Sequence, residues 1–204
     1  LSATAAKGAT QIQVDRAGGW KVGDRIAIAS TDYDFAQAEE FTLTAVNGNT
    51  LTLSAALKYE HFGQAQTYGG KTLESRAEVA LLSRNITVQG DASSDTSKFG
   101  AHVMTMGTGQ AKIDGVEFTR VGQKKAAGRY PVHFHQLGDG GANSFVKNSS
   151  IHHSYNRCLT IHGSNKVQVL NNAAYSAPGH CYFLEDGAET GNVLEGNLGF
   201  SIRR

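Results

Sequence analysis

Arg129-Tyr-Pro-Val-His-Phe-His135, Cys158-Leu-Thr-Ile-His-Gly-Ser164 and Gly179-His-Cys-Tyr-Phe-Leu-Glu-Asp-Gly187 are the three segments whose reading decides the fold. Each alternates apolar and polar residues as a strand does. Arg157 and Gly179, which open the second and third repeats, lie 22 residues apart. A period of that length, with Asn, Gly and Ser between short strands, describes one coil of a parallel β-helix. Placing Tyr130 over Arg157 stacks Val132 on Leu159, Phe134 on Ile161 and His135 on His162, with Asp139 to Asn143 bulging out as a loop. Placing Arg157 over Gly179 stacks Leu159 on Cys181 and Ile161 on Phe183. Residues two apart share a face of a strand. His133 and His135 therefore point outward, with Thr160 and His162, and with Tyr182 and Leu184. The same register turns Cys181 inward and gives Cys158 the opposite parity, so no disulfide is expected between them.

Working outward, the texture persists in Ala80 to Gly90, Ala101 to Met106 and Ala111 to Phe118, with Ile86, Val88, Val116 and Phe118 read as inward. Phe145 to Ile151, Val167 to Asn172 and Val193 to Asn197 are apolar strands followed by asparagine. An asparagine at a corner can bond the backbone of the next coil and tolerates left-handed torsions. Residues 1–60 differ. Gln11-Ile-Gln-Val14, Arg25 to Ala29, Phe41 to Val46 and Thr50 to Leu53 alternate, and Asn47-Gly48 marks a hairpin. The expected organisation is all-β: a small antiparallel barrel- or sandwich-like unit over 1–60, a connection over 61–79, and a right-handed parallel β-helix over 80–204. Trp20 is expected beneath the turns around it, and Asp32 to Glu40 as a solvated loop.

Composition narrows the function. The 204 residues hold 24 glycines and two prolines, and 19 basic against 18 acidic residues leave a net charge of +1. No global field attracts nucleic acid, and no apolar run of about 18 residues offers direct membrane insertion. The opening Leu-Ser-Ala-Thr reads as the interior of a longer chain. No nucleophile elbow, phosphate loop or dinucleotide fingerprint occurs.

Gly128 to His135, Asn148-Ser-Ser-Ile-His-His153, Thr160-Ile-His-Gly-Ser-Asn165 and Gly179 to Gly187, in this order, resemble the β-helix region of the cell-migration-inducing hyaluronan-binding protein, transmembrane protein 2 and fibrocystin-like family. The likeness runs from about Trp20 onward and is strongest over Arg129 to Gly187. It implies a right-handed parallel β-helix, an extracellular or cell-surface setting, additional domains of the same protein, and the binding or depolymerisation of hyaluronan.

The residues themselves suggest a site. Neighbouring coils lie about 4.8 Å apart and alternate residues about 6.6 Å apart. His133, His135 and His162 can therefore reach one ion, with His180 as a possible fourth member. Neutral imidazoles suit a divalent transition metal such as zinc, copper or nickel better than calcium. The plainer reading is a stack of surface histidines. Glu185 or Asp186 opposite Asp139 can form the carboxylate pair of a glycosidase; the favoured reading of Glu185-Asp186-Gly187 is a turn whose carboxylates bond backbone amides. A lyase needs a base, such as His133, His135 or Tyr182, and a cation for the uronate, such as Arg129 or Arg157. Lys124 and Lys125 suit an extended anionic polysaccharide. The expected function is engagement, with cleavage, of such a glycan along the histidine face; the alternative is a non-catalytic carbohydrate-binding or structural module of a larger surface protein. His61, His102, His152 and His153 are expected to be packing or surface residues.

Overall fold

The computed structural model describes residues 1–203 and divides into two compact units, Leu1–Ser83 and Arg84–Arg204. The first is an antiparallel sheet of β1 (Gln11–Gln13), β2 (Arg25–Ile28), β3 (Glu39–Asn47), β4 (Thr50–Leu53) and, after the separate hairpin β5 (Gln66–Tyr68) and β6 (Lys71–Leu73), β7 (Val79–Leu81), in the order β1-β4-β3-β2-β7. Alternation buries Ile26, Ile28, Leu43, Leu51 and Leu53 on one side, with Trp20 partly buried against them. The segment read as a connection thus carries strands of this unit, and Ala80 pairs with Ala27 of β2 instead of opening a coil. Within Asp32 to Glu40, Glu39 is buried: its carboxylate accepts from the Lys58 and Tyr59 amides and faces Nε2 of the buried His61 at 3.2 Å.

The second unit is a parallel β-solenoid. Its strands are β8 (Ile86–Gln89), β9 (Val103–Met106), β10 (Lys112–Asp114), β11 (Val116–Thr119), β12 (Val132–Gly138), β13 (Phe145–Lys147), β14 (Ser150–His152), β15 (Leu159–Ser164), β16 (Gln168–Leu170), β17 (Ala173–Pro178), β18 (Tyr182–Leu184), β19 (Val193–Glu195) and β20 (Leu198–Arg203). They stack into three sheets: β9-β12-β15-β18, β10-β13-β16-β19 and β8-β11-β14-β17-β20. Inward columns run Val103-Val132-Leu159, Ile113-Val146-Val169 and Phe118-Ile151-Ala174, and merge into one core. Ile86 is an exception, 56% exposed. Among the described residues no helix is long and apolar enough to cross a membrane.

Corners explain the recurring asparagines. Gly115, Asn148, Asn171 and Gly196 occupy one column by register, all with φ between 52° and 66°. These residue types adopt left-handed torsions at least cost. Beside them Asn172 accepts from the Ser149 amide and donates to the Val146 carbonyl, and Asn197 repeats the pattern on Asn172 and Val169.

One register differs from the sequence reading. β15 pairs with β18 as Leu159 with Tyr182 and Ile161 with Leu184, one residue from the expected alignment. A slip of one exchanges the faces of a strand. Tyr182 thus points inward, its hydroxyl donating to the carbonyls of Asn172 and Leu198 at 3.1 Å, and Phe183 takes the outward place. Cys158 lies opposite Cys181, both buried thiols, and not on the opposite parity; the neighbouring sulfur and burial push the Cys158 thiol up.

Candidate functional site

Strand alternation places His133 and His135 outward on β12, and the β12–β15 register sets His162 directly opposite His135. One ring nitrogen from each of the three lies within 4.8 Å of the other two. His135 Nδ1 and His162 Nδ1 are 3.0 Å apart, and the His133 and His162 rings stack with centroids 5.9 Å apart.

His133 is the informative member. It is 1% exposed, and Nδ1 is 2.8 Å from the Gly128 carbonyl, so the proton on Nδ1 donates there. Nε2 is then left with a lone pair, buried, and has no hydrogen-bond partner. Thr160, its register partner on β15, carries a second buried oxygen without one. Native interiors leave few such groups unsatisfied, because each costs about 1–3 kcal/mol. One ring nitrogen fixed by a backbone carbonyl and the other left free, in a group of three imidazoles, is a donor set that could hold a metal ion. Burial also holds the His133 pKa down, favouring the neutral ring.

Carboxylates flank the imidazoles on the β18 side. Glu185 Oε2 is 3.7 Å from His162 Nδ1, and Asp186 Oδ2 is 3.4 Å from His162 Nε2. Arg157 donates to the Tyr130 hydroxyl at 2.6 Å, and that hydroxyl donates to Glu185 Oε1 at 2.7 Å. Burial and this donation raise the Tyr130 pKa. The Arg157 guanidinium also lies 4.0 Å over the Phe183 ring. Tyr130 borders a cavity of about 650 Å³ whose wall includes Lys98, Lys124, Lys125, Arg157 and Arg203 against a single acid, Asp95.

The remaining expected residues separate. His180 is exposed, stacks on Phe183 at 4.9 Å and lines the cavity, outside the three-histidine group. Asp139 does not face Glu185 as a partner: its carboxylate binds Lys166 at 2.8 Å and Asn165 at 3.0 Å, which hold its pKa down. Arg129 turns to His102, 3.0 Å away. Tyr182 is interior. The carboxylate that bonds turn amides is Glu189, accepting from Asp186 and Gly163, whereas Glu185 faces the cluster. Tyr130 and Thr160 were not expected in the site; the position of Tyr130 three residues before His133, at the entry to the strand, was the available signal. His152 is buried and bonded to Glu117 at 3.0 Å.

Comparison with known proteins agrees with this architecture. The chain is 42% identical over 203 residues to a G8 domain-containing protein of Dictyostelium discoideum, covering 98% of this chain and 13% of that one. It is 36% identical over 210 residues to the Cell surface hyaluronidase of Danio rerio (93% and 15%), and 38% identical over 207 residues to Cell surface hyaluronidase CEMIP2 of Homo sapiens (91% and 15%). The chain thus spans about one seventh of the length of these relatives. Residues 98–204 match the model of the CEMIP beta-helix, and with the stacked coils and their histidine-bearing sheet, the chain belongs to the CEMIP beta-helix family.

Proposed function

We propose that this β-helix engages an extended anionic polysaccharide on the face of β12 and β15 and cleaves it beside a transition metal held by His133, His135 and His162. The observation that carries the reading is the buried, unpartnered Nε2 of His133 on a ring that has a nitrogen within 4.8 Å of nitrogens of two further imidazoles. His133, His135 and His162 would hold a divalent zinc, copper or nickel ion, which would supply a Lewis acid and lower the pKa of a bound water. The chain's own groups divide the remaining work. Arg157, Lys124 and Lys125 line the basic cavity and pair with the carboxylates of the glycan. Glu185, bridged by Tyr130 to Arg157 and close to His162, is placed to take or return a proton, and Asp186 keeps His162 oriented.

Two relatives bear the name cell surface hyaluronidase, which supports a hyaluronan-like substrate and an extracellular or cell-surface setting. Their greater length supports additional domains of the same protein as partners. The test is turnover of size-defined hyaluronan alongside metal content by mass spectrometry, in the wild-type chain, His135→Ala and His162→Ala. The reading requires near-stoichiometric metal in the wild type, and its loss together with shortening of the glycan in both variants. A metal-free wild type after supplementation, or undiminished turnover in folded His162→Ala, would refute it and leave a non-catalytic carbohydrate-binding or structural module.

A further inference from the structure

The chain contains two methionines, Met104 and Met106, and both stand on the site's own sheet. They occupy β9, where Val103 packs into the core, so Met104 and Met106 point outward. The β9–β12 register sets Met104 opposite His133 and Met106 opposite His135. The outward rows therefore read Met104-His133-Thr160 and Met106-His135-His162. The histidines have carboxylates on one side and thioethers on the other.

The two methionines are not equivalent. Met106 is 58% exposed, whereas Met104 is half-buried. A methyl group built on Gly128 would lie 3.8 Å from His133 Cε1 and 3.9 Å from Met104 Cε. Gly128 is the residue whose carbonyl holds His133, so Met104 and His133 converge beneath the same loop. An apolar role explains a buried methionine well, since the flexible side chain fills irregular gaps. It explains less well a methionine set in register opposite an imidazole whose Nε2 has no partner.

Donor chemistry separates the candidate metals. Imidazole serves zinc, nickel and copper alike, but a thioether is soft and adds affinity chiefly for Cu(I). We propose that the centre is a copper site in which Met104 Sδ joins His133, His135 and His162, the thioether adding to its hold on copper over zinc. This rests on the metal reading of the histidine cluster and adds to it both the identity of the metal and a fourth ligand.

The experiment loads the purified chain separately with Cu(I), under anaerobic conditions, and with Zn(II). Affinities are measured by chelator competition for wild type, Met104→Leu and Met106→Leu, and X-ray absorption is recorded on the copper-loaded samples. Leucine keeps the volume and apolar character of methionine, so the variants should fold. The expected result is a loss of about tenfold or more in Cu(I) affinity for Met104→Leu, with Zn(II) affinity within about twofold of wild type and the sulfur scatterer gone. Retained Zn(II) binding also shows that the variant is folded. Equal losses for both ions, no loss for either, or sulfur that persists in Met104→Leu and vanishes in Met106→Leu would overturn the assignment. A wild type that binds neither ion overturns the histidine centre itself, whereas metal bound through nitrogen alone overturns only the thioether.

Discussion

Replacing Asn172 with alanine removes the side chain that ties three coils together at one corner. Asn172 is 2% exposed; its Oδ1 accepts from the Ser149 amide at 3.0 Å, and its Nδ2 donates to the Val146 carbonyl at 2.9 Å and to Asn197 Oδ1 at 3.0 Å. Ser149 and Val146 are themselves fully buried, so alanine strands a backbone N–H away from water. Each buried group left without a partner costs about 1–3 kcal/mol. With one amide wholly stranded and one carbonyl partly so, we expect a loss of about 2–4 kcal/mol, out of the roughly 5–15 kcal/mol typical of a domain. The structure also provides the rescue. Ser149 stands at the position equivalent to Asn172 one coil earlier, and its Oγ accepts from the Val116 amide at 3.1 Å while donating to the Lys147 carbonyl at 2.9 Å. Asn172→Ser should therefore recover more than half of the loss. The assay is urea denaturation followed by circular dichroism, with hydrogen exchange at the Ser149 amide as the local readout. A loss below about 1 kcal/mol in Asn172→Ala, in the range of surface substitutions, or a serine variant no better than alanine, would refute the reasoning.

Further expectations concern the site and its supports. Tyr130→Phe deletes the hydroxyl between Arg157 and Glu185; both partners are about a quarter exposed, so the cost should be modest, near 1 kcal/mol, and a double-mutant cycle with Glu185→Gln should show coupling of similar size. Because the Tyr130 pKa is raised, the stabilisation is fully present below the unfolded tyrosine value of about 10 and is lost as pH rises through the folded value. Wild type should lose stability above pH ~10 relative to Tyr130→Phe, read from unfolding midpoints across pH; parallel curves would contradict this. Gly141→Ala drives a methyl into the Asn165 carbonyl and Val167 and should cost at least about 1–3 kcal/mol, with thermal denaturation as the check. Saturating transition metal at about 100 times its Kd should add about 2.7 kcal/mol to wild type and nothing to His162→Ala, measured as a shift in thermal midpoint.

Much of the second unit was legible because its physics is local and repeated. Alternation in Val132-His133-Phe134-His135 and Leu159-Thr160-Ile161-His162 sorts residues to two faces, and the stacking of like strands brings equivalent residues into columns although the coils differ in length. The histidine cluster follows from those two facts alone. Where the repeat gave no margin, the reading failed. Segment 179–187 accepts two registers that differ by one residue, and an inward Tyr182 was as apolar a choice as an inward Cys181. Bonding decides it: the Tyr182 hydroxyl finds two carbonyls inside the coil, and Phe183 outside lies under Arg157.

What the sequence determined by itself is therefore the class of fold, the inward columns of the central coils and the outward placement of His133, His135 and His162. Period and polarity act along the chain and need no knowledge of distant partners. Only the tertiary structure decided which carboxylate stands beside the cluster, since Glu185 lies near His162 and bonds Tyr130 while Asp139 bonds Lys166. It also decided that the His133 lone pair lacks a partner and that lysines from separate turns share one cavity wall. Those properties depend on distances between residues far apart in sequence and on the exclusion of water, neither of which a strand pattern encodes.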